Sequence, residues 1–349
     1  MSASRCLETK WPSVSIGIPT LNSERYLHSC LRSIFAQKYP GKIEVVVVDG
    51  GSTDRTLQIA RRFPVKLIET AIRNPELAKL TAFRKSTGEV FFYLDDDNEL
   101  ISPYWLRDMI YPLIDGRTIV GSFTHHLATK QDPAITRYLS YDKLQRDPLL
   151  KHFSVGIEET FVAQRTGYIL CNFIPSRIPP VGLVLYRRED VISLLETELL
   201  EERRIFDIDL PMAFAINGRT RFAYVPVGVR HVHADNMHTL IRKRIRNVKS
   251  IFLPTFSKRK FVWFSAQDKK ALTKIVRWLY LANIFVPLMV SGLKKYMRYR
   301  DAVLLLEPLV GLVLTDVVLL AFISDCEGRR MIGRALRKIF SRGDTIESA

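Results

Sequence analysis

The sequence predicts an α/β protein: a mostly parallel, open sheet flanked by helices, followed by C-terminal amphipathic and hydrophobic helices. Three observations carry that expectation. Strand-like and helix-like patterns alternate over the first hundred residues. The segment Ile43–Val48 is a near-continuous β-branched run of the kind buried on both faces of a parallel sheet. The long apolar runs and most of the excess positive charge lie together in the last third of the chain. With 349 residues, 47% of them apolar and 25% charged, the chain is globular in composition and long enough for a large domain with an appendage.

Taken in order, Val14–Ile18 alternates small and apolar residues and stops at Pro19, which gives a first strand. Thr20 to Glu24 offers N-cap chemistry before a helix with Leu27, Leu31, Ile34 and Phe35 at helical spacing. Ile43–Val48 then ends in Asp49-Gly-Gly-Ser-Thr-Asp54, again before a helix. Val65–Ile68 is a short strand, Pro75–Ser86 a helix, and Glu89–Leu94 a strand that runs into Asp95, Asp96, Asp97 and Asn98. In an open parallel sheet ligands bind beyond the carboxyl ends of the strands, so the stretches at Asn22, Asp49 and Asp95–Asp97 are expected to converge on one crevice. Further along, Val181–Tyr186 and Arg221–Pro226 read as strands, Glu189–Leu200 as a helix, and residues 155–180 as loop-rich.

Three adjacent carboxylates repel one another and lose solvation unless positive charge sits among them. A divalent cation held by oxygen ligands is the simplest source of that charge; a solvated acidic turn is the alternative. The four cysteines, Cys6, Cys30, Cys171 and Cys326, show no paired or metal-ligand spacing and suit a reducing compartment. Residues 1–12 show no secretory signal, so the catalytic part is expected in the cytoplasm.

Four blocks carry a resemblance: Val14 to Asn22, Val45 to Asp54, Ala78-Lys79 with Thr87-Gly-Glu89, and Leu94 to Asn98. In order and spacing they resemble the inverting glycosyltransferases of family 2, which have the Rossmann-like GT-A fold. The resemblance is strong over residues 12–125 and weaker over 180–250. It implies a nucleotide-sugar donor, with Pro19, Thr20, Asn22, Glu24 and Asp49 near the nucleoside and Lys79, where the family often has arginine, near a phosphate. It also implies an Asp-x-Asp motif at Asp95 and Asp97. Asp97 is the favoured ligand of Mg²⁺ or Mn²⁺, with Asp95 as a further ligand, and Asp95 or Asp96 lies nearer the ribose. A turn-capping role is the alternative for Asp49. The base that deprotonates an attacking hydroxyl falls, by the same resemblance, on Asp207 or Asp209, although Phe206 stands where the family has glutamate; either carboxylate could instead cap the following helix. His231 or His233 completes the metal shell, and because residues two apart on a strand point to opposite faces, at most one serves.

Residues 236–349 hold 22 Lys+Arg against 8 Asp+Glu, a net of +14, whereas residues 1–235 hold 30 against 28, a net of +2. Positive charge that accompanies apolar runs fits an anionic membrane surface and gives no sign of nucleic acid. From Met237 to Phe252, apolar residues occupy one helical face and Arg242, Lys243, Arg244, Arg246 and Lys249 the rest, the pattern of an interfacial helix. Lys258 to Phe264 extend the belt. Ile275–Leu293, broken by Pro287, and Ala302–Ile323 approach the length of membrane spans. A hairpin across the bilayer is the first expectation; re-entrant or interfacial helices and a homo-oligomeric contact are the others, because the connecting Lys294–Arg300 segment carries four cations. Glu307 and Asp316 should face protein or a polar ligand. The expected organisation is a catalytic domain over 12–235, an interfacial segment over 236–273, a hydrophobic hairpin over 274–327 and a basic tail over 328–349. The function expected is a membrane-attached, metal-dependent inverting transferase on the cytoplasmic face. Its acceptor is lipid-linked, a polyprenyl phosphate or an envelope-glycan intermediate. A polysaccharide or protein acceptor and a non-catalytic scaffold are the alternatives. A nucleotidyltransferase would open with a Gly-rich phosphate loop, which Pro19 to Asn22 is not.

Overall fold

A computed structural model describes residues 10–71, 73–175, 177–197, 209–256 and 269–340. The chain divides into two units, residues 1–127 with 156–231 and residues 128–155 with 232–349. Of the stretch 12–235 expected as one domain, residues 128–155 and 232–235 fall in the second unit.

The strands of the first unit are β1 (Val14–Thr20), β2 (Ile43–Asp49), β3 (Lys66–Glu69), β4 (Val90–Tyr93), β5 (Asn98–Glu99), β6 (Gly121–Phe123), β7 (His126–Leu127), β8 (Phe161–Arg165), β9 (Tyr168–Asn172), β10 (Val184–Arg187), β11 (Arg221–Tyr224) and β12 (Val229–His231). A nine-stranded sheet runs β3-β2-β1-β4-β10-β6-β11-β9-β8, and a three-stranded one runs β5-β12-β7. Strand pairing fixes the directions: β1, β2, β3, β4, β6, β11 and β8 run one way, and β10 and β9 run against them. The carboxyl ends of β1, β2, β4, β6 and β11 therefore open on one edge, as expected of a mostly parallel sheet.

Successive strand residues point to opposite faces, and the two faces of β1 are built differently. Val14, Ile16 and Ile18 pack with Val45, Val47 and Phe92 against Leu27, Leu31 and Ile34 of α1 (Leu27–Phe35). Beyond α2 (Thr56–Ala60), α3 (Pro75–Lys85) covers the opposite face so closely that a Cβ on Gly17 would lie 2.7 Å from that of Ala82. The helix α4 (Trp105–Asp115) adds Trp105, Leu106, Met109 and Ile110 to the first face. Residues 155–180, expected to be loop-rich, instead contain the β8–β9 hairpin. Gly167 takes φ +83 at its turn, and β8 is an edge strand whose half-exposed Phe161 to Arg165 lack a clean apolar alternation.

The second unit contains α5 (Ala134–Ser140) and α6 (Pro148–Phe153). After α7 (Arg188–Leu195) and α8 (Asp209–Ile216) of the first unit, it resumes with α9 (Met237–Arg246), a π-helical turn over Asn247–Phe252, α10 (Leu253–Phe256), α11 (Lys269–Ile284), α12 (Val286–Tyr299), a 3₁₀ turn over Ala302–Leu306, α13 (Glu307–Ser324) and α14 (Cys326–Phe340). Its axis is α13. Val310 and Leu314 pack on Leu240 of α9, while Val318, Ala321 and Phe322 pack on Val248, Phe252 and Leu253. Trp278 of α11 donates from Nε1 to Thr315 Oγ1 at 2.9 Å. The expected amphipathic face is present only in part: Leu240 and Val248 are buried and Arg242, Arg246 and Lys249 exposed, but Ile245 is exposed too, and Lys243 and Arg244 are half-buried, Arg244 against Asp147.

The two apolar stretches differ. Ala302–Ser324 forms 23 residues of helix apolar and long enough to cross a bilayer, whereas Thr273–Ile284 and Val286–Tyr299 meet at 73°. The break falls at Phe285, with φ +67, immediately before the Val286-Pro287 start of α12. Glu307 is 3% exposed and is held by Lys295 Nζ, by Tyr138 Oη at 3.0 Å and by Ser291 Oγ at 3.2 Å. It faces protein, as its cost in lipid requires. Lys258 to Phe264 lie outside the described residues.

Candidate functional site

At the carboxyl edge of the first unit, the loops after β1 and β2 are laced together. Thr20 Oγ1 donates to Asp49 Oδ1 at 3.0 Å, Asn22 N to Ser52 Oγ at 2.8 Å, Ser23 N to Thr56 Oγ1 at 2.7 Å, and Glu24 N to Asp54 Oδ2 at 3.1 Å. In return Thr53 N donates to Asn22 Oδ1 at 2.9 Å and Arg55 Nε to Glu24 Oε2 at 3.1 Å. The polar Thr20 to Glu24 segment thus spends its side chains across the crevice. Helix α1 begins later, behind Tyr26, which makes no side-chain cap. Asn22 meets its partners from a left-handed backbone, φ +55, a conformation asparagine tolerates better than most residues.

Asp49 is 1% exposed, and both its oxygens are engaged. Oδ1 also accepts from Ser52 Oγ at 2.5 Å, and Oδ2 accepts from Gly51 N at 3.0 Å and Ser52 N at 2.8 Å. In this arrangement it fixes the turn that presents Ser52 and Thr53, the alternative its sequence position left open. Pro19 is in β1 beneath the same edge. Lys79 is 5% exposed on α3, with Nζ 3.5 Å from Glu76 Oε1 and 5.8 Å from the Tyr93 ring.

The acidic turn follows β4. Asp95 is exposed and Asp96 and Asp97 half-buried. Ser23 Oγ donates to Asp96 Oδ2, tying the turn to the loop after β1. Beneath it the Cys30 thiol is held well above its usual pKa, first by burial and then by the charges of Asp96, Asp97 and Asp95, so it stays protonated.

The three-stranded sheet completes the site. His231 pairs with Asn98, directly after the acidic turn, and Val229 pairs with His126. His231 Nε2 consequently lies 3.5 Å from Asp97 Oδ1, and the His126 ring stands 5.0 Å from the His231 ring. Burial and then the neighbouring His231 lower the His126 pKa to about 3, so this imidazole is neutral. The strand carrying His231 is held in place by Trp105 Nε1 donating to Gly228 O at 2.7 Å and Val229 N to His125 O at 2.9 Å. Gly228 is required there: its φ is +68, and a Cβ would come within 2.3 Å of Leu127 Cδ2. Arg230 Nη1 meets Glu99 Oε2 at 2.5 Å across the same sheet.

Of the two histidines read from sequence, His231 is the one near Asp97. His233 belongs to the second unit, where its carbonyl accepts from Lys243 Nζ at 2.7 Å. Asp207 lies outside the described residues, and Asp209 opens α8, 5% exposed. Sequence reasoning passed over His126 and took Ser23 only as part of the Thr20 to Glu24 segment. The doublet His125-His126 directly after a strand was the available signal for the first, but its partner lies more than a hundred residues away.

Asp97 and His231 offer one carboxylate and one imidazole. Among the described residues no group of three or more His, Cys, Asp or Glu side chains gathers to enclose an ion. This donor set fits Mg²⁺ or Mn²⁺ that takes its remaining ligands from substrate phosphates and water, as such ions do when one or two protein side chains hold them.

Residues 15–166 match the family described as glycosyl transferase family 2. An N-acetylglucosaminyltransferase of Rhizobium sp. (strain N33) is 28% identical over 269 residues, which cover 70% of this chain and 54% of that protein. Glycosyltransferase AglE of Haloferax volcanii is 33% identical over 144 residues, 38% of this chain and 46% of that one. Among solved structures, glucosyl-3-phosphoglycerate synthase from Mycobacterium tuberculosis, in complex with Mn²⁺, uridine diphosphate and glucosyl-3-phosphoglycerate, has 17% identity and a TM-score of 0.47, covering 72% of this chain and 81% of that chain. The chain spans about half the length of the curated relatives it matches, 54% and 57% for two of them.

Proposed function

We propose that the chain, whose residues 15–166 match glycosyl transferase family 2, transfers a sugar, with inversion, from a nucleotide-sugar donor to an acceptor at a membrane surface. The observation that carries the reading is the meeting of Asp97, His231 and His126 at the same sheet edge as the laced loops after β1 and β2. Relatives named as N-acetylglucosaminyltransferases make nucleotide-activated N-acetylglucosamine the first donor to test.

In this mechanism Asp97 and His231 would hold the cation, with His126 as the neutral wall behind His231. When bound, the cation neutralises the donor diphosphate and stabilises the departing nucleotide as a Lewis acid. Ser52, Thr53 and Asn22 line the donor end of the crevice, with Thr20, Asp49 and Glu24 keeping that lining rigid. Lys79 supplies positive charge beside β4. A carboxylate at Asp207, or at Asp209, takes the proton from an acceptor hydroxyl; an acceptor that is already an ionised phosphate needs this base less.

Membrane attachment is part of the proposal, with the catalytic unit in the cytoplasm. The limbs of the bent pair, 12 and 14 residues, reach only about 18 and 21 Å at ~1.5 Å per residue, short of the ~30 Å hydrocarbon core. The basic helix α9 and the turn after it lie along α13 from Leu314 to Phe322, and a spanning α13 would drag their cations into lipid. These two features favour re-entrant or interfacial helices over the spanning hairpin. Such a placement supports a lipid-linked acceptor.

The test incubates detergent-purified full-length chain with a panel of nucleotide sugars, Mn²⁺ or Mg²⁺, and polyprenyl phosphates, following release of nucleotide diphosphate. Acceptor-dependent release with one donor is expected. Failure of every donor to bind in calorimetry with the cation present would overturn the proposal.

A further inference from the structure

The helical unit holds a cavity of about 270 Å³ whose lining the transfer reaction does not use. Four cations reach it, Lys151 from α6 and Lys294, Lys295 and Arg298 from α12, against a single lining carboxylate, Glu307. Glu307 is already committed to Lys295, Tyr138 and Ser291. Lys151 Nζ stands 3.6 Å from Asp142 Oδ2, a carboxylate it shares with Arg146 at 2.9 and 3.1 Å. Burial presses the Lys151 pKa down against the opposing pull of Asp142, with the neighbouring Lys295 adding to the fall.

Two features narrow the ligand. The volume is close to the ~300 Å³ at which small-molecule sites usually begin, a size that suits a headgroup. Leu304 and the rings of Tyr138, Tyr141 and Tyr299 add apolar surface to the lining. A compact dianion tethered to hydrocarbon satisfies both conditions, because the cations meet the phosphate and the apolar part of the lining meets the chain.

We infer that this cavity is a receptor for the phosphate headgroup of a membrane lipid, formed by Lys151, Lys294, Lys295 and Arg298. The site lies wholly within the helical unit and does not depend on the donor chemistry proposed above.

The experiment titrates detergent-purified full-length chain with a short-chain phosphatidic acid below its micellar concentration, and separately with inorganic phosphate. A Lys151→Gln/Arg298→Gln variant is compared with an Arg242→Gln/Arg246→Gln control, which removes the same charge from the exposed face of α9. Thermal unfolding verifies that each variant is folded, and Lys294→Gln replaces the double variant should that fail to fold. The short-chain lipid should bind more tightly than inorganic phosphate. The cavity variant should lose about tenfold or more in affinity, as expected for losing hydrogen bonds to a charged group, while the control keeps it. Equal affinity for phosphate and lipid would reject the lipid as the source. Equal loss in both variants, unchanged binding in the cavity variant, or no binding to the parent chain would each reject the site.

Discussion

Asp97 and His231 lie 134 positions apart in sequence and 3.5 Å apart in space, and each alone is a poor ion site. Their value is joint, since a carboxylate and an imidazole leave most of a small cation's shell to phosphate oxygens. Asp97→Asn removes charge but little volume. It should lower turnover at least ~100-fold, the scale of a lost Lewis-acid contribution of several kcal/mol, and weaken Mn²⁺-dependent donor binding without changing the melting temperature. Calorimetry of donor binding with and without Mn²⁺ checks this, and full affinity in Asp97→Asn would remove the residue from the cation site. His231→Gln should show the same dependence at a smaller amplitude. The acidic turn was legible from sequence because three carboxylates after an apolar strand have few cheap explanations. His126 was not, because its significance comes from strand pairing with Val229 and not from local pattern.

At the scale of elements, the site depends on how tightly β12 is pinned. A side chain at Gly228 would strike Leu127 and would sit at φ +68. Gly228→Ala should therefore cost about 1–3 kcal/mol in unfolding free energy and displace His231, so that activity falls even where the protein remains folded. Chemical denaturation beside a rate assay separates the two effects, and an unchanged midpoint would show that the strand has room to shift. The first sheet strands were readable to within a residue or two, since β-branched runs and following turn residues agree. The β8–β9 hairpin was missed because an edge strand need not alternate. The N-cap reading of Thr20 to Glu24 failed because side chains suited to cap a helix equally suit a bond to a neighbouring loop. In the helical unit, Asp142 is a comparable pin. Burial alone would raise its pKa, but hydrogen bonds from Arg146 and the charges of Lys151 and Arg146 bring it below the ordinary carboxylate value. A depressed carboxylate pKa adds stability above the unfolded value, near 3.9, and that stability is lost as pH falls through the folded value. Melting temperature should thus drop as pH falls below about 4, and less steeply in Asp142→Asn, whose own stability at pH 7 should be lower by about 3 kcal/mol or more. An identical slope in the variant would assign the acid sensitivity elsewhere.

For the whole molecule, the net charge of +16 resolves into a nearly neutral first part and a last third at +14, and the exposed apolar side chains complement that asymmetry. Val276 and Tyr280 are four apart on α11, Val286, Met289 and Leu293 share one face of α12, and all are 47% or more exposed. Such faces are stable beside lipid, and the surrounding cations favour an anionic leaflet. High salt compresses the Debye length to about 3 Å at 1 M and should not release the chain by itself, because the apolar contribution survives. Topology gives the sharper test. The apolar helix from Ala302 to Ser324 ends beside Cys326, which is a free and exposed thiol, whereas Cys30 and Cys171 are buried. Ala302→Cys in a Cys6→Ser background places a second exposed thiol at the other end. If the helices lie in or dip into one leaflet, a membrane-impermeant maleimide added to sealed inside-out vesicles labels positions 302 and 326 alike, and added to right-side-out vesicles labels neither. Labelling of one position from each side would mean that α13 crosses the bilayer, and the cations of α9 packed along it would then need a water-filled or protein-lined path.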